Sequence, residues 1–210
     1  VALASRLSAA GTFIVFLSSS AVFDGSVLSP TESAAPNPTS VYGEQKAAAE
    51  ELLRQLTDRL AIVRFGKAIP HTYPRFMAWH EQLVAGKQIQ VLRDLLFAPL
   101  STSYLVEALR RIHERGHSGV FHLSPEHAIS YAQVAEYMCH KYHLDPALVI
   151  AKTVQESGLS IEYVPKYATL GCTDTFKRLS LPVPQVWDAV DVGLPPRSAA
   201  PRLVHEGGLR

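Results

Sequence analysis

The stretch Thr12-Phe13-Ile14-Val15-Phe16-Leu17-Ser18, with its flanks, decides the fold. Phe13 to Leu17 are apolar without alternation. A strand of that kind suits the middle of a parallel sheet, covered on both faces. Upstream, Leu3, Leu7 and Ala10 share one stripe of a short helix, and Gly11 supplies its stop. Downstream, residues 24–40 form a loop rich in Pro, Ser, Asn and Gly. Loops of such length in a compact domain are usually functional. Tyr42 to about Asp58 then reads as a helix, because Ala49, Leu52, Leu53 and Leu56 recur at helical spacing. Leu60 to Phe65 is a second buried strand. Helix, strand, loop, helix, strand is the order of an α/β parallel sheet with right-handed crossovers.

The bulk properties exclude several classes. With 210 residues, 47% hydrophobic and 19% charged, the chain is globular and long enough for a sizeable core. Twenty basic residues face 19 acidic ones, for a net charge of +1, so nothing drives binding to a nucleic-acid backbone. The run Phe13 to Leu17 is far too short to span a bilayer, and no basic head precedes an apolar block as in an export signal. A cytoplasmic protein, away from membranes, is expected on that basis. Cys139 and Cys172 make neither a disulfide framework nor a metal spacing and read as reduced thiols. The chain starts at Val1, already helical in character, which points to a longer parent.

Past residue 66 the pattern predicts a helix over 75–84 ended by Gly86, a strand over 88–92 and a helix over 103–113. A strand over 120–123 follows, then a helix capped by Ser130 with Tyr131, Val134, Ala135 and Met138 on its stripe. A last strand is expected over 147–153, and a short terminal helix and turn over 173–190, around Pro182 and Pro184. The tail, with Pro195, Pro196 and Pro201, is expected to be poorly ordered.

The chemistry concentrates in Tyr42-Gly43-Glu44-Gln45-Lys46. Tyrosine and lysine four apart share one helix face. An ammonium beside a phenol favours the phenolate, which can then exchange a proton with a carbonyl or hydroxyl near neutral pH. Ser18-Ser19-Ser20 follows the first strand, and open α/β sheets bind ligands at the carboxyl ends of their strands. A serine there can hold the oxygen that the tyrosine protonates. A lone Tyr-x-x-x-Lys is weak evidence; the strand, serine cluster, loop and helix around it give it weight.

Phe16-Leu-Ser-Ser-Ser-Ala-Val-Phe-Asp-Gly25 and Pro36-Asn-Pro-Thr-Ser-Val-Tyr-Gly-Glu-Gln-Lys46 resemble the extended short-chain dehydrogenase/reductases, and within them the dTDP-4-dehydrorhamnose reductase branch. That branch reads Ser-Thr-Asp-Tyr-Val-Phe-Asp-Gly before its Tyr-Gly-x-x-Lys. Aligned on Val22 to Gly25, Ser19, Tyr42 and Lys46 take the places of the family's catalytic residues. Ile62-Val63-Arg64, Ser101 to Arg111 and Gly119 to Ser124 resemble the family more loosely. Ser20 and Ala21 depart from it, standing where the branch has aspartate and tyrosine.

The resemblance implies an NAD(P)-dependent reductase of a nucleotide-linked 4-keto-6-deoxy sugar, with NADP or NAD as cofactor. Tyr42 is the implied general acid. Ser19 holds the carbonyl oxygen, and Lys46 tunes the tyrosine and contacts the nicotinamide ribose. Ser18 joins Tyr42 and Lys46 on the cofactor side, and Ser20 joins Ser19 on the substrate side. The implied fold is the C-terminal part of a Rossmann-type parallel sheet over residues 1–66, with a small α/β substrate-binding region over 67–190 and a tail over 191–210. A homodimer is compatible with it. No Gly-x-x-Gly-x-x-Gly occurs in the chain. The resemblance therefore implies that about three βα units, on the order of 90 residues, are missing, and that this chain alone does not hold the cofactor. An epimerase or dehydratase built on the same residues, or a non-catalytic binding or regulatory subunit on the same fold, is the alternative.

Other polar groups read more plainly. His113 with His117 and His140 with His143 look like surface pairs at helix ends, without the further ligands that zinc needs. His122, inside an apolar strand, reads as a satisfied or ligand-facing imidazole. Lys67, His71, Arg75, Lys87 and Arg93 are candidates to neutralise a diphosphate. Met77 and Trp79 read as core, with Trp79 also able to stack on a base.

Overall fold

Leu60-Ala61-Ile62-Val63-Arg64 is buried at every position, and the principal sheet is built on both sides of it. The computed structural model describes residues 2–196. In chain order the elements are α1 (Ala2–Ala9), β1 (Ile14–Leu17), α2 (Val41–Leu56), β2 (Leu60–Phe65), β3 (Lys67–Ile69), α3 (Pro74–Val84), β4 (Ile89–Leu92), β5 (Leu96–Phe97) and β6 (Pro99–Ser101). They continue with α4 (Thr102–Arg115), β7 (Gly119–Leu123), β8 (Ile129–Ser130), α5 (Tyr131–Tyr142), β9 (Val149–Lys152), α6 (Val154–Ser157), α7 (Thr173–Leu179) and α8 (Val186–Gly193). Single-turn 3-10 helices lie at Ser20–Val22 and Pro146–Leu148.

The principal sheet is parallel, in the order β1-β2-β7, with Phe16 beside Ile62 and Ile62 beside Val120. The parallel pairs β3–β6 and β4–β9 and the antiparallel pair β5–β8 complete the pairing. This is the expected α/β architecture. Among the described residues β1 pairs with β2, and β2 lies between β1 and β7.

Ala49, Leu52, Leu53 and Leu56, the apolar stripe that marks α2 in the sequence, lie outside the closed core. They line an apolar groove of about 330 Å³ with Leu3, Leu7, Ile14 and Phe16, and Leu52 stays 45% exposed. The residues that α2 buries are Gly43 and Glu50.

Two large cores organise the rest. One sets Ala61, Val63, Phe121 and Leu123 of the sheet against Leu105, Ala108 and Ile112 of α4 and Leu179 of α7. The other joins Phe76, Trp79 and Leu83 of α3 to Val134, Ala135 and Met138 of α5, with Ile89 and Val190. Each of the larger of these side chains, the alanines aside, contributes roughly 1.5–3 kcal/mol by leaving water. The chain therefore crosses from the sheet at residue 66 and returns to it through α4, β7 and α7.

The C-terminal stretch differs from expectation. Residues 173–190 carry two helices rather than one. Ser180, at φ 54°, stops α7, and Pro182 and Pro184 fall before α8 begins. The tail expected from residue 191 starts later. Asp191 to Gly193 complete α8 and Leu194 is buried. Gly193 packs so closely that a Cβ there would lie 2.6 Å from Ile69 Cγ2. The remainder of the predicted tail, 197–210, lies outside the described residues.

Candidate active site

β1 delivers its serines at its carboxyl end. Ser19 has an extended backbone, and its Oγ accepts a hydrogen bond from Ala21 N at 3.1 Å, capping the 3-10 turn. The hydroxyl proton of Ser19 stays available to a ligand. Ser40 caps α2 in the same way, accepting from Gly43 N at 3.1 Å. Gly43 is needed where α2 meets that turn, because a Cβ would sit 2.1 Å from Ala21 O. Contact between α2 and the turn is what brings Tyr42 and Ser19 onto one cleft.

The cleft measures about 290 Å³ and is lined by Ser19, Ser20, Ala21 and Tyr42 on one side and by Lys67, Phe97 and Tyr131 on the other. Tyr42 is 52% exposed. One turn along the helix, Lys46 places its Nζ 5.7 Å from the Tyr42 ring centroid and donates to Leu17 O at 2.9 Å. The ammonium keeps two further protons for other partners.

Ser18 does not line this cleft. Its hydroxyl points into the interior and donates to Glu50 Oε1 at 2.6 Å. Alternation along the strand sends neighbouring side chains to opposite sides. Glu50 is fully buried and paired with Arg64, itself 1% exposed, through Nε–Oε1 at 2.9 Å and Nη2–Oε2 at 2.6 Å. Burial alone would raise the Glu50 carboxyl; Arg64, Ser18 and Arg54 outweigh it and hold the group below its usual value. His122 lies at 3.3 Å from Arg64 Nη1, with its Nδ1 against Gly171 O at 3.1 Å. His122 is thus a satisfied core imidazole. Burial, then Arg64, push it down to about 4.

Of the candidate diphosphate ligands, Lys67 and Arg75 converge on Tyr131, whose face the Arg75 guanidinium covers at 5.3 Å. A second cavity, of about 160 Å³, begins at Tyr131 and is lined by Arg75, Trp79, Gln90 and Lys152. Trp79 is both core and wall. Arg93 is tied to Glu156 at 2.9 Å, while Lys87 and His71 line neither cavity. No group of residues suited to hold a metal ion occurs among the described residues, and no described helix is long and apolar enough to cross a membrane.

A family model described as the RmlD substrate binding domain matches residues 1–192. The chain belongs to the RmlD substrate binding domain family. Its relatives include the spore coat polysaccharide biosynthesis protein SpsK of Bacillus subtilis (strain 168), 27% identical over 150 residues, which are 70% of this chain and 52% of that protein. The chain thus spans about half the length of this curated relative. Among solved structures, the dTDP-4-dehydrorhamnose reductase of Bacillus anthracis in complex with NADP superposes with a TM-score of 0.78 at 21% identity, covering 90% of this chain and 67% of that one. The reductase of Yersinia enterocolitica gives 0.77 at 22% identity, covering 91% and 70%. The RmlD-family chain therefore has the Rossmann-like fold of these reductases.

Sequence reasoning missed three features of the site in this RmlD-family chain. Tyr131 read as a core stripe residue, yet it separates the two cavities. Glu50 gave no signal, since a buried acid in a polar helix looks like a surface acid until its partner is known. The segment 159–168, which walls the cleft through Tyr163 and Pro165, has no periodicity to read.

Proposed function

We propose that this chain is the catalytic and substrate-binding part of an NAD(P)-dependent reductase of a nucleotide-linked 4-keto-6-deoxy sugar. One observation carries the reading: Ser19 and Tyr42 line a single cleft, with the Lys46 ammonium against the Tyr42 ring. Tyr42 donates its phenolic proton to the carbonyl oxygen as that oxygen gains charge. Ser19, whose oxygen is already engaged by Ala21 N, donates its own proton to the same oxygen and so fixes the carbonyl. Lys46 stabilises the phenolate left behind. Lys67 and Arg75 serve the diphosphate, and the cavity beyond Tyr131, with Trp79, serves the base.

The residues fit the nicotinamide end of a dinucleotide. Lys46, one turn from Tyr42, is bonded to Leu17 O at the carboxyl end of β1, whereas the chain has no Gly-x-x-Gly-x-x-Gly for the pyrophosphate. When bound, NAD(P)H supplies the hydride. The test is to incubate the protein with NADPH and a dTDP-linked 4-keto-6-deoxy sugar and to follow both. Loss of one NADPH per sugar reduced supports the reading. Conversion of the sugar without net loss of NADPH supports an epimerase instead.

A further inference from the structure

Between α6 and α7 the chain runs as a strap along the cleft, which its Tyr163, Pro165 and Ala168 line. Its later half is pinned: Tyr167 N donates to Gly25 O at 2.9 Å, Leu170 N to Ser124 Oγ at 3.1 Å and Gly171 N to Pro30 O at 3.0 Å. Gly25, at φ +74°, admits this approach, since a Cβ would lie 2.5 Å from Pro165 Cβ. The earlier half is held differently. Glu162 reaches back to α2, where its Oε1 accepts from Val41 N at 2.7 Å. Val41 opens the helix that carries Tyr42, and a carboxylate suits the positive end of a helix. Tyr163, the next residue, lines the cleft together with Tyr42 and Ser19. The Tyr163 hydroxyl is lodged beside Gly25, 3.2 Å from where a Cβ would stand, which anchors the far end of the side chain. Ala21 adds only a methyl group there.

We infer that Tyr163 is a specificity-determining residue: its ring is the platform for the glycosyl group of the substrate, and Glu162 is the positioning residue that fixes the platform relative to Tyr42. The inference rests on the reductase reading and names the residue that reads the sugar. An aromatic face packs against the C–H face of a pyranose, and such contacts contribute most when the ring is already held in place. The strap's tether to α2 supplies that preorganisation and couples sugar recognition to the position of the acid.

The experiment compares calorimetric titrations of dTDP and of dTDP-glucose for the full chain and for Tyr163→Ala, Tyr163→Phe and Glu162→Gln. The readout is the affinity that the sugar adds over dTDP alone. Affinity for dTDP itself is expected to match wild type in all four proteins, which also reports folding. The added affinity is expected to fall about 10-fold in Tyr163→Ala, to fall about threefold in Glu162→Gln and to stay within about twofold in Tyr163→Phe. An undiminished sugar increment in Tyr163→Ala overturns the inference and leaves the reductase reading standing. A wild-type protein that binds neither ligand overturns both.

Discussion

Glu50 sits one turn beyond Lys46 and carries its charge in the interior. Four donors converge on its carboxylate: Arg64 Nε and Nη2, Ser18 Oγ and Arg54 Nη2. A buried ion pair adds little net stability compared with an apolar pair, but breaking one side strands the other charge. Glu50→Gln should therefore cost about 3–5 kcal/mol, read from the urea midpoint. A loss under about 1 kcal/mol would show that Arg64 finds another partner. Glu50→Leu combined with Arg64→Met should cost much less than the sum of the single changes. This cluster ties α2, β1 and β2 together directly behind the serines, so its effect on the site is one of placement. The pairing is not legible from one segment, because Glu50 and Arg64 lie on different elements and Glu50 has no apolar neighbour pattern that marks it as buried.

The element that matters most is α2. Its N-terminus is made by Ser40, whose cap should be worth about 1 kcal/mol against alanine. Its position is set by Gly43 against Ala21 O. Gly43→Ala must push α2 off the 3-10 turn, and we expect a destabilisation of about 1–3 kcal/mol, read by thermal or urea unfolding. An unchanged midpoint would mean that the helix is placed by something else. The existence of α2 and of the strands on either side could be read in the sequence, because helical spacing and the apolar runs act locally; the Ser40 cap shows only in the structure. The pairing of β4 with β9 could not, since it joins Gln90 to Ile150 across sixty positions without a local mark. The stripe on α2 marks the helix but not its partner. Period reveals that Leu52 and Leu56 share a face, but what covers that face is a property of the assembled chain. Tyr42 and Lys46 were legible because four-residue spacing is itself a geometry.

Across the whole molecule, acid acts through buried imidazoles. His122 is held near 4, and His80, buried with its Nε2 unpaired among the described residues, is also lowered by burial. The unfolded chain, with histidines at about 6.5, binds more protons between those values than the folded one. Stability is thus complete above about pH 6.5 and declines as pH falls towards 4. At about 1.4 kcal/mol per pH unit, His122 alone accounts for a loss of about 2 kcal/mol by pH 5. Urea midpoints at about pH 7.5 and pH 5 check this, and equal midpoints would contradict it.

The central claim concerns the phenol at the mouth of the cleft, and it is tested most directly by the rate of NADPH oxidation with a dTDP-linked 4-keto-6-deoxy sugar, for wild type and Tyr42→Phe. Tyr42 is half exposed, so its loss leaves the fold intact. Tyr42→Phe is expected to lower the rate by about 10²–10⁴ with an unchanged unfolding midpoint. A variant that reduces the sugar as fast as wild type would contradict it.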